Sequence, residues 1–182
     1  LDPNNDGLAK RVEEMYHQQG RHQDQVLFLL RRAEQLDDQP LRVGVRHRAA
    51  AIQRSIGDED GARDSLQQVL EDGDDLHALQ VLLEMAERRQ DFEEAISLLQ
   101  RLVALCEGKD EKLAYAVREA QLVADAMGQL DVAVVKYRAI LDTIDKDNQY
   151  ALHAIADLEM RQDNPTGAVE AMERLLALME GP

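Results

Sequence analysis

A small-residue and leucine signature returns five times along this chain. Val26, Ala62, Ala95, Ala133 and Ala168 follow one another at spacings of 36, 33, 38 and 35 residues. Each lies just after a turn and opens a run of helix-forming residues. Four residues later comes a large apolar side chain: Leu30, Leu66, Leu99, Tyr137 and Met172. Three further on comes another apolar one: Ala33, Val69, Leu102, Ile140 and Leu175. Steps of four and three keep these positions on one face of a helix. A unit of this length holds two helices, and one such hairpin cannot bury both its inner face and the face turned to its neighbour. Stacking the hairpins buries both, so a period in this range specifies a helical repeat array.

Turn punctuation divides the chain into ten helices. The first spans about 6–19 and stops at Gly20; the second spans about 22–37 and ends before Gln39-Pro40. The next three occupy about 40–56, 59–71 and 75–89. Asp91 caps the sixth, with Glu94 three positions on as in a capping box, and that helix ends near Gly108. Asp110 opens the seventh, which ends at Gly128, and the eighth runs about 130–144. Asp147 or Asn148 opens the ninth. Asn164 and Pro165 open the tenth, as an N-cap followed by proline at the first helical position. Paired, these helices make one domain of five units at 6–40, 41–73, 74–109, 110–146 and 147–180. No run alternates β-branched and polar residues, so no sheet is expected.

Composition narrows the function classes. The formal net charge is −15, which opposes the basic footprint that nucleic-acid binding requires. The imbalance is local: residues 1–50 carry eight basic and eight acidic side chains, whereas 51–182 carry 13 basic and 28 acidic ones. No apolar stretch approaches the ~20 residues of a membrane span, so no membrane insertion is expected. A single cysteine, Cys106, excludes an internal disulfide and fits a reducing, cytoplasmic setting. It ends an apolar run from Leu98, which marks it as a buried, inert thiol.

Chemistry-bearing motifs are sparse. Asp2, Asn4, Asp6, Gly7 and Glu13 satisfy the calcium-loop formula, but Pro3 at the second loop position and Ala9 at the eighth argue against it. The acidic run Asp72-Gly73-Asp74-Asp75 reads as a turn and an N-cap. The histidines His17, His22, His47, His77 and His153 form no zinc-ligand spacing, and one cysteine cannot complete a structural site. Proline at the middle position disqualifies Asn164-Pro165-Thr166 as a glycosylation acceptor. No nucleophile elbow, phosphate loop or nucleotide fingerprint is present. The expectation is a protein without catalysis, cofactor or metal.

The stretch Asp91-Phe92-Glu93-Glu94-Ala95-Ile96, continuing through Leu98, Leu99 and Leu102, resembles the second half of a tetratricopeptide repeat. So does Met127-Gly128-Gln129-Leu130-Asp131-Val132-Ala133. The opening Leu1-Asp2-Pro3-Asn4-Asn5 is similar to the link that closes such a repeat, so a longer parent array is expected. The resemblance spans nearly the whole chain in its second-helix signature. It is weak in the first helices, where Ala50 and Ala156 keep the expected small residue and Glu13, Leu83 and Gln121 do not; HEAT-type hairpins are the lesser alternative. It implies an all-α, right-handed α-solenoid of about five antiparallel hairpins, and a scaffold that takes a peptide or partner helix in a groove lined by the first helices.

By that implied register the groove positions are Lys10, Glu14 and His17, then His47, Arg48, Ala51 and Arg54. They continue with Gln80, Glu84 and Glu87, then Arg118, Leu122 and Asp125, then His153 and Asp157. The basic members Lys10, Arg48 and Arg54 suit carboxylates of an acidic segment. The asparagine of the family's carboxylate clamp is missing. On the last helix Met172, Leu175, Leu176 and Met179 form an apolar arc without a polar capping helix after it, which is expected to be covered by further repeats of a parent protein or, as the rival reading, to support end-to-end homo-oligomerisation. The alternative function is a structural or self-associating segment of a larger protein whose activity lies elsewhere.

Overall fold

A computed structural model of the protein describes residues 4–180 and holds ten α-helices and no strand among them. They are α1 (Asp6–Gln18), α2 (His22–Glu34), α3 (Gln39–Ser55), α4 (Glu59–Asp72) and α5 (Leu76–Arg89), then α6 (Phe92–Leu105), α7 (Lys109–Asp125), α8 (Leu130–Thr143), α9 (Gln149–Arg161) and α10 (Pro165–Glu180). The chain forms two compact units, Leu1–Leu82 and Leu83–Pro182. In the first, α2 packs on α1 and on α3, and α4 on α3. In the second, α7 lies against α6 and α8, and α9 against α8 and α10. Within each unit, helices thus meet both a partner in their own hairpin, as α3 meets α4 and α7 meets α8, and a helix of the adjoining hairpin, as α2 meets α3 and α8 meets α9, as in a repeat stack.

The turn inside each hairpin is the same device. Gly20, Gly57, Gln90, Gly128 and Asp163 adopt φ of +66°, +79°, +58°, +66° and +56°, and each stands one residue before the next helix's N-cap position. A left-handed residue ends one helix and redirects the chain into the next. A Cβ on Gly20, Gly57 or Gly128 would meet nothing within 4 Å, so glycine is there for its φ, not for space. Gln90 and Asp163 adopt the same φ with a Cβ in place. Replacing Gln90 by Gly is expected to raise stability by about 0.5 kcal/mol, because relief of the left-handed strain exceeds the extra unfolded-chain entropy. A urea titration showing a lower midpoint would contradict this.

Most caps fall where the turn chemistry puts them. Asp91 accepts from the Glu94 N–H at 3.1 Å, Asn148 from Ala151 at 2.9 Å and Asn164 from Gly167 at 3.3 Å. Asp75 accepts from Ala78 at 2.7 Å, so the acidic run does turn the chain and cap α5. Helix α7 differs from the sequence reading: it starts at Lys109, Gly108 holds the N-cap position without a side-chain bond, and Asp110 lies in the first turn. An acid there still complements the helix dipole.

Counting from the five left-handed residues corrects the first unit's register. The residue five positions on is Ala62, Ala95, Ala133 and Ala168 in four hairpins, but Gln25, not Val26, in the first. The next two core places fall on Leu29 and Arg32 instead of Leu30 and Ala33. Arg32 therefore stands where Val69, Leu102, Ile140 and Leu175 stand elsewhere, and it is buried. Its guanidinium reaches Asp6 at 3.0 Å and Glu13 at 3.8 Å, and Arg48 grips the same Glu13 carboxylate with two bonds of 3.1 and 3.2 Å. The buried Gln25 keeps a side-chain oxygen without a hydrogen-bond partner. Ionic and polar groups thus occupy a place that apolar groups fill elsewhere.

A second ionic tie closes the α3–α4 hairpin. Asp72, at the end of α4, accepts from Arg42 at 2.6 and 2.9 Å and from Arg46 at 2.6 Å. Arg42 also donates to the Leu36 carbonyl at 2.8 Å. The Arg42 hydrogen bonds hold the Asp72 carboxyl below its ordinary 3.8, against the opposing pull of burial. A depressed folded-state pKa contributes stability above 3.8 that is lost as pH falls through the folded value. Acid unfolding of wild type and Asp72→Asn should therefore diverge above pH 3.8 and converge below it. Parallel curves would contradict that role.

In the second unit one apolar core runs from Ala116 to Leu175, with Tyr137, Leu141, Leu152 and Ile155 among its members. Leu175 belongs to this core at 8 % exposure and so lies outside the exposed arc of α10; 3.6-residue periodicity turns it inward against α9. Cys106 is buried, its thiol directed to Glu111 at 3.7 Å, and burial together with that carboxylate pushes its pKa up. It is a packed thiol, not a reactive one.

Candidate peptide-recognition surface

The A helices, α1, α3, α5, α7 and α9, carry the groove positions read from sequence, and the two units treat them differently. In the first unit the cations are engaged within the fold. Lys10 pairs with Asp6 at 2.8 Å, and Arg48 is bound bidentately by Glu13. Arg54 is half-buried. His17 stacks obliquely with His22 at 5.5 Å between ring centres. His47 sits 3.1 Å from Asp75 and 5.2 Å from the His77 ring. Gln80 is exposed on α5. Of the basic cluster Lys10, Arg48 and Arg54, Arg48 is thus already occupied by Glu13, while Lys10 makes only an exposed pair. Reversing the charge of Arg48 sets an acid beside Glu13 and perturbs folding, so it does not report on binding.

The second unit brings predicted residues together around an open cleft between α7 and α9, of ≈360 Å³. Gln121, Ala124 and Asp125 line its α7 wall, and Tyr150, His153, Asp157 and Arg161 line its α9 wall. Tyr137 of α8 forms the floor. His153 and Asp157 come one turn apart, which is why both face the same space. Arg118, one turn before Leu122, pairs with Glu87 of α5 at 3.0 Å. Glu84 is exposed and Leu122 half-buried.

The sequence reading missed the aromatic part. Tyr137 and Tyr150 meet at 6.3 Å with planes tilted by 56°, and Gln121 donates to the Tyr150 hydroxyl at 2.6 Å. Tilted aromatic pairs are favoured by their ring quadrupoles. Burial raises the Tyr137 pKa, and the neighbouring Tyr150 hydroxyl and the Asp125 charge raise it further. Tyr137 therefore sits in the cleft floor as a neutral phenol near neutral pH. Arg161 lies 3.8 Å from Asp157, an exposed pair that a ligand can open at little cost. The signal available in sequence was that two of only four tyrosines fall on consecutive helices, Tyr137 at a core place of α8 and Tyr150 in the first turn of α9.

The cleft offers an apolar ring surface, two carboxylates, an imidazole, an amide and a guanidinium, spread over about three turns of α9 and one turn of α7. That mixture suits a short stretch of polypeptide, with a side chain against the rings and polar groups around it. Among the described residues no group of three or more His, Cys, Asp or Glu is placed to hold a metal ion, and no helix is long and apolar enough to cross a membrane. Leu1, Asp2 and Pro3, part of the calcium-loop formula and of the repeat link, lie outside the described residues, as do Gly181 and Pro182. The acids of that formula that are described, Asp6 and Glu13, are held by arginines.

No protein-family model matches the sequence, and no curated protein does. Solved structures do. MamA (AMB-1) is similar over 96 % of this chain and 92 % of its own, at 19 % identity and a TM-score of 0.55. MamA (MSR-1) is similar over 94 % and 95 %, at 18 % identity and a TM-score of 0.51. YrrB, described as a tetratricopeptide-repeat protein with an unusual peptide-binding site, is similar over 90 % of this chain and 81 % of its own, at 18 % identity and 0.51. The shared length, the ten helices and the recurring turn give this chain the tetratricopeptide-type helical-repeat fold.

Proposed function

We propose that this chain is a non-enzymatic protein-interaction module whose α7–α9 cleft takes an extended peptide or a partner helix. The observation that carries this reading is the exposed Tyr150 ring, backed by Tyr137 in the floor, in an open cleft ringed by Gln121, Asp125, His153 and Asp157. Rigid aromatic anchors surrounded by polar groups are what short-peptide sites use for affinity and orientation. The likeness to YrrB, whose description names a peptide-binding site, points the same way. The net charge of −15 weighs against nucleic acid as the partner.

Selection of displayed random peptides against the whole chain tests this. Enriched peptides should bind Tyr150→Ala and Asp157→Arg variants about tenfold or more weakly, the loss expected of an anchor residue. Enriched peptides that bind both variants like wild type would remove the cleft from the account. A second reading, a self-associating segment, is favoured by the exposed face of α10 and concerns a different surface.

A further inference from the structure

Two features of the α7–α9 cleft narrow what its occupant must carry. The first is a fixed ring face. Tyr150 is 50 % exposed, yet Gln121 donates to its hydroxyl at 2.6 Å and its ring leans on the buried Tyr137 at 6.3 Å between centres. The two contacts hold an aromatic face at the cleft wall instead of leaving it to swing in solvent. Such a face attracts a cation within about 6 Å of the ring centre through the ring quadrupole. Apolar groups pack on it too, so the ring alone does not choose between them.

The second feature, the charge beside the ring, makes the choice. Asp125 follows Gln121 by one turn of α7 and lines the same cleft. It is exposed and has no ion-pair partner among the described residues. Arg161, the cleft's own guanidinium, is answered by Asp157 at 3.8 Å. Burial, then the Tyr150 hydroxyl and the Asp125 charge, raise the Tyr137 pKa, which sets that carboxylate near the paired rings. Of the fixed charges lining the cleft, Asp157 and Arg161 cancel and Asp125 remains. The surroundings have the same sign, with 28 acidic and 13 basic side chains in residues 51–182, a balance that draws cations and repels anions. An acidic side chain on Tyr150 would face the Asp125 charge, and an apolar one would desolvate it without a partner.

We propose that the cleft selects a basic side chain of the bound polypeptide, arginine above lysine, stacked on Tyr150 with its charge toward Asp125. A planar guanidinium stacks on an aromatic face and at the same time offers the forked donors that a carboxylate accepts. The ammonium of lysine supplies the charge without the plane. The inference rests on the peptide-cleft reading and adds to it the chemistry of the residue recognised.

Displayed random peptides selected on the full chain should share an arginine or lysine at one position. Synthetic copies of an enriched peptide then carry lysine or citrulline there, citrulline keeping the shape of arginine without its charge. Fluorescence anisotropy measures their affinity for wild type, Asp125→Asn, Asp125→Glu and Tyr150→Ala. Asp125 is exposed, so its variants leave the fold in place. Citrulline should weaken binding to wild type about tenfold, and Asp125→Asn should weaken the arginine peptide about as much. Asp125→Asn should leave the citrulline peptide unchanged, and Asp125→Glu should retain the preference for arginine. Raising the salt from about 0.05 to 0.5 M should weaken the arginine peptide more than the citrulline one. Peptides that lose binding in Tyr150→Ala but share no basic residue, or bind Asp125→Asn like wild type, overturn this inference and leave the cleft reading standing. A selection that yields no peptide, or only peptides indifferent to Tyr150→Ala, overturns both.

Discussion

Glu13→Ala should destabilise the chain by about 3 kcal/mol, whereas Glu13→Ala combined with Arg32→Leu should leave it at least as stable as wild type. The single change removes one of the two acids beside Arg32, whose side chain is 3 % exposed and which keeps Asp6 at 3.0 Å, together with both bonds that Glu13 accepts from Arg48. Breaking a buried ion pair from one side costs roughly 3–5 kcal/mol, and the retained Asp6 contact places this loss at the low end; replacing a buried pair by packed apolar groups is often neutral or favourable. The register gives the double variant its form. Leu is what α6 and α10 carry at the place of Arg32, and Ala is what α3 and α9 carry at the place of Glu13. Arg48, with 35 % of its side chain exposed, can turn to water once Glu13 is gone. Chemical denaturation of the two variants measures the difference. Equal losses in both would mean that the network contributes more than its charges.

Leu99→Ala and Met172→Ala should differ by about 3 kcal/mol although the two residues occupy the same place in the repeat. Leu99 is fully buried and Met172 is 53 % exposed. Truncating a buried leucine costs roughly 2–5 kcal/mol from lost transfer energy and the cavity left behind. Truncating an exposed methionine costs within ±0.5 kcal/mol. A large loss in the Met172→Ala variant would mean that α10 packs its arc within its own chain.

Much of the fold was legible because its determinants are local. Left-handed turns prefer glycine, caps prefer Asp or Asn, and helix faces repeat every three or four residues, so ten helices and most of their ends follow from residue type. The misreadings came where tertiary packing overrides local pattern. Val26 imitates the repeat signature because it too is buried, one position away from the true place, held by the polar Gln25. Leu175 joins Met172, Leu176 and Met179 in a helical arc, and only the placement of α9 separates it from them. Arg48 looks like a groove cation until α1 sets Glu13 beside it in space. The cleft was half visible: His153, Asp157 and Asp125 follow from register, but Tyr137 belongs to a second helix and enters the site from below.

Chemical-shift mapping of a selected peptide on the isotope-labelled full chain tests the central claim most directly. The account predicts saturable shifts centred on Gln121, Tyr150, His153, Asp157 and Arg161, which disappear in Tyr150→Ala. Shifts centred elsewhere, on the α3 face around Arg46 and His47 for example, would contradict it and move recognition to the first unit.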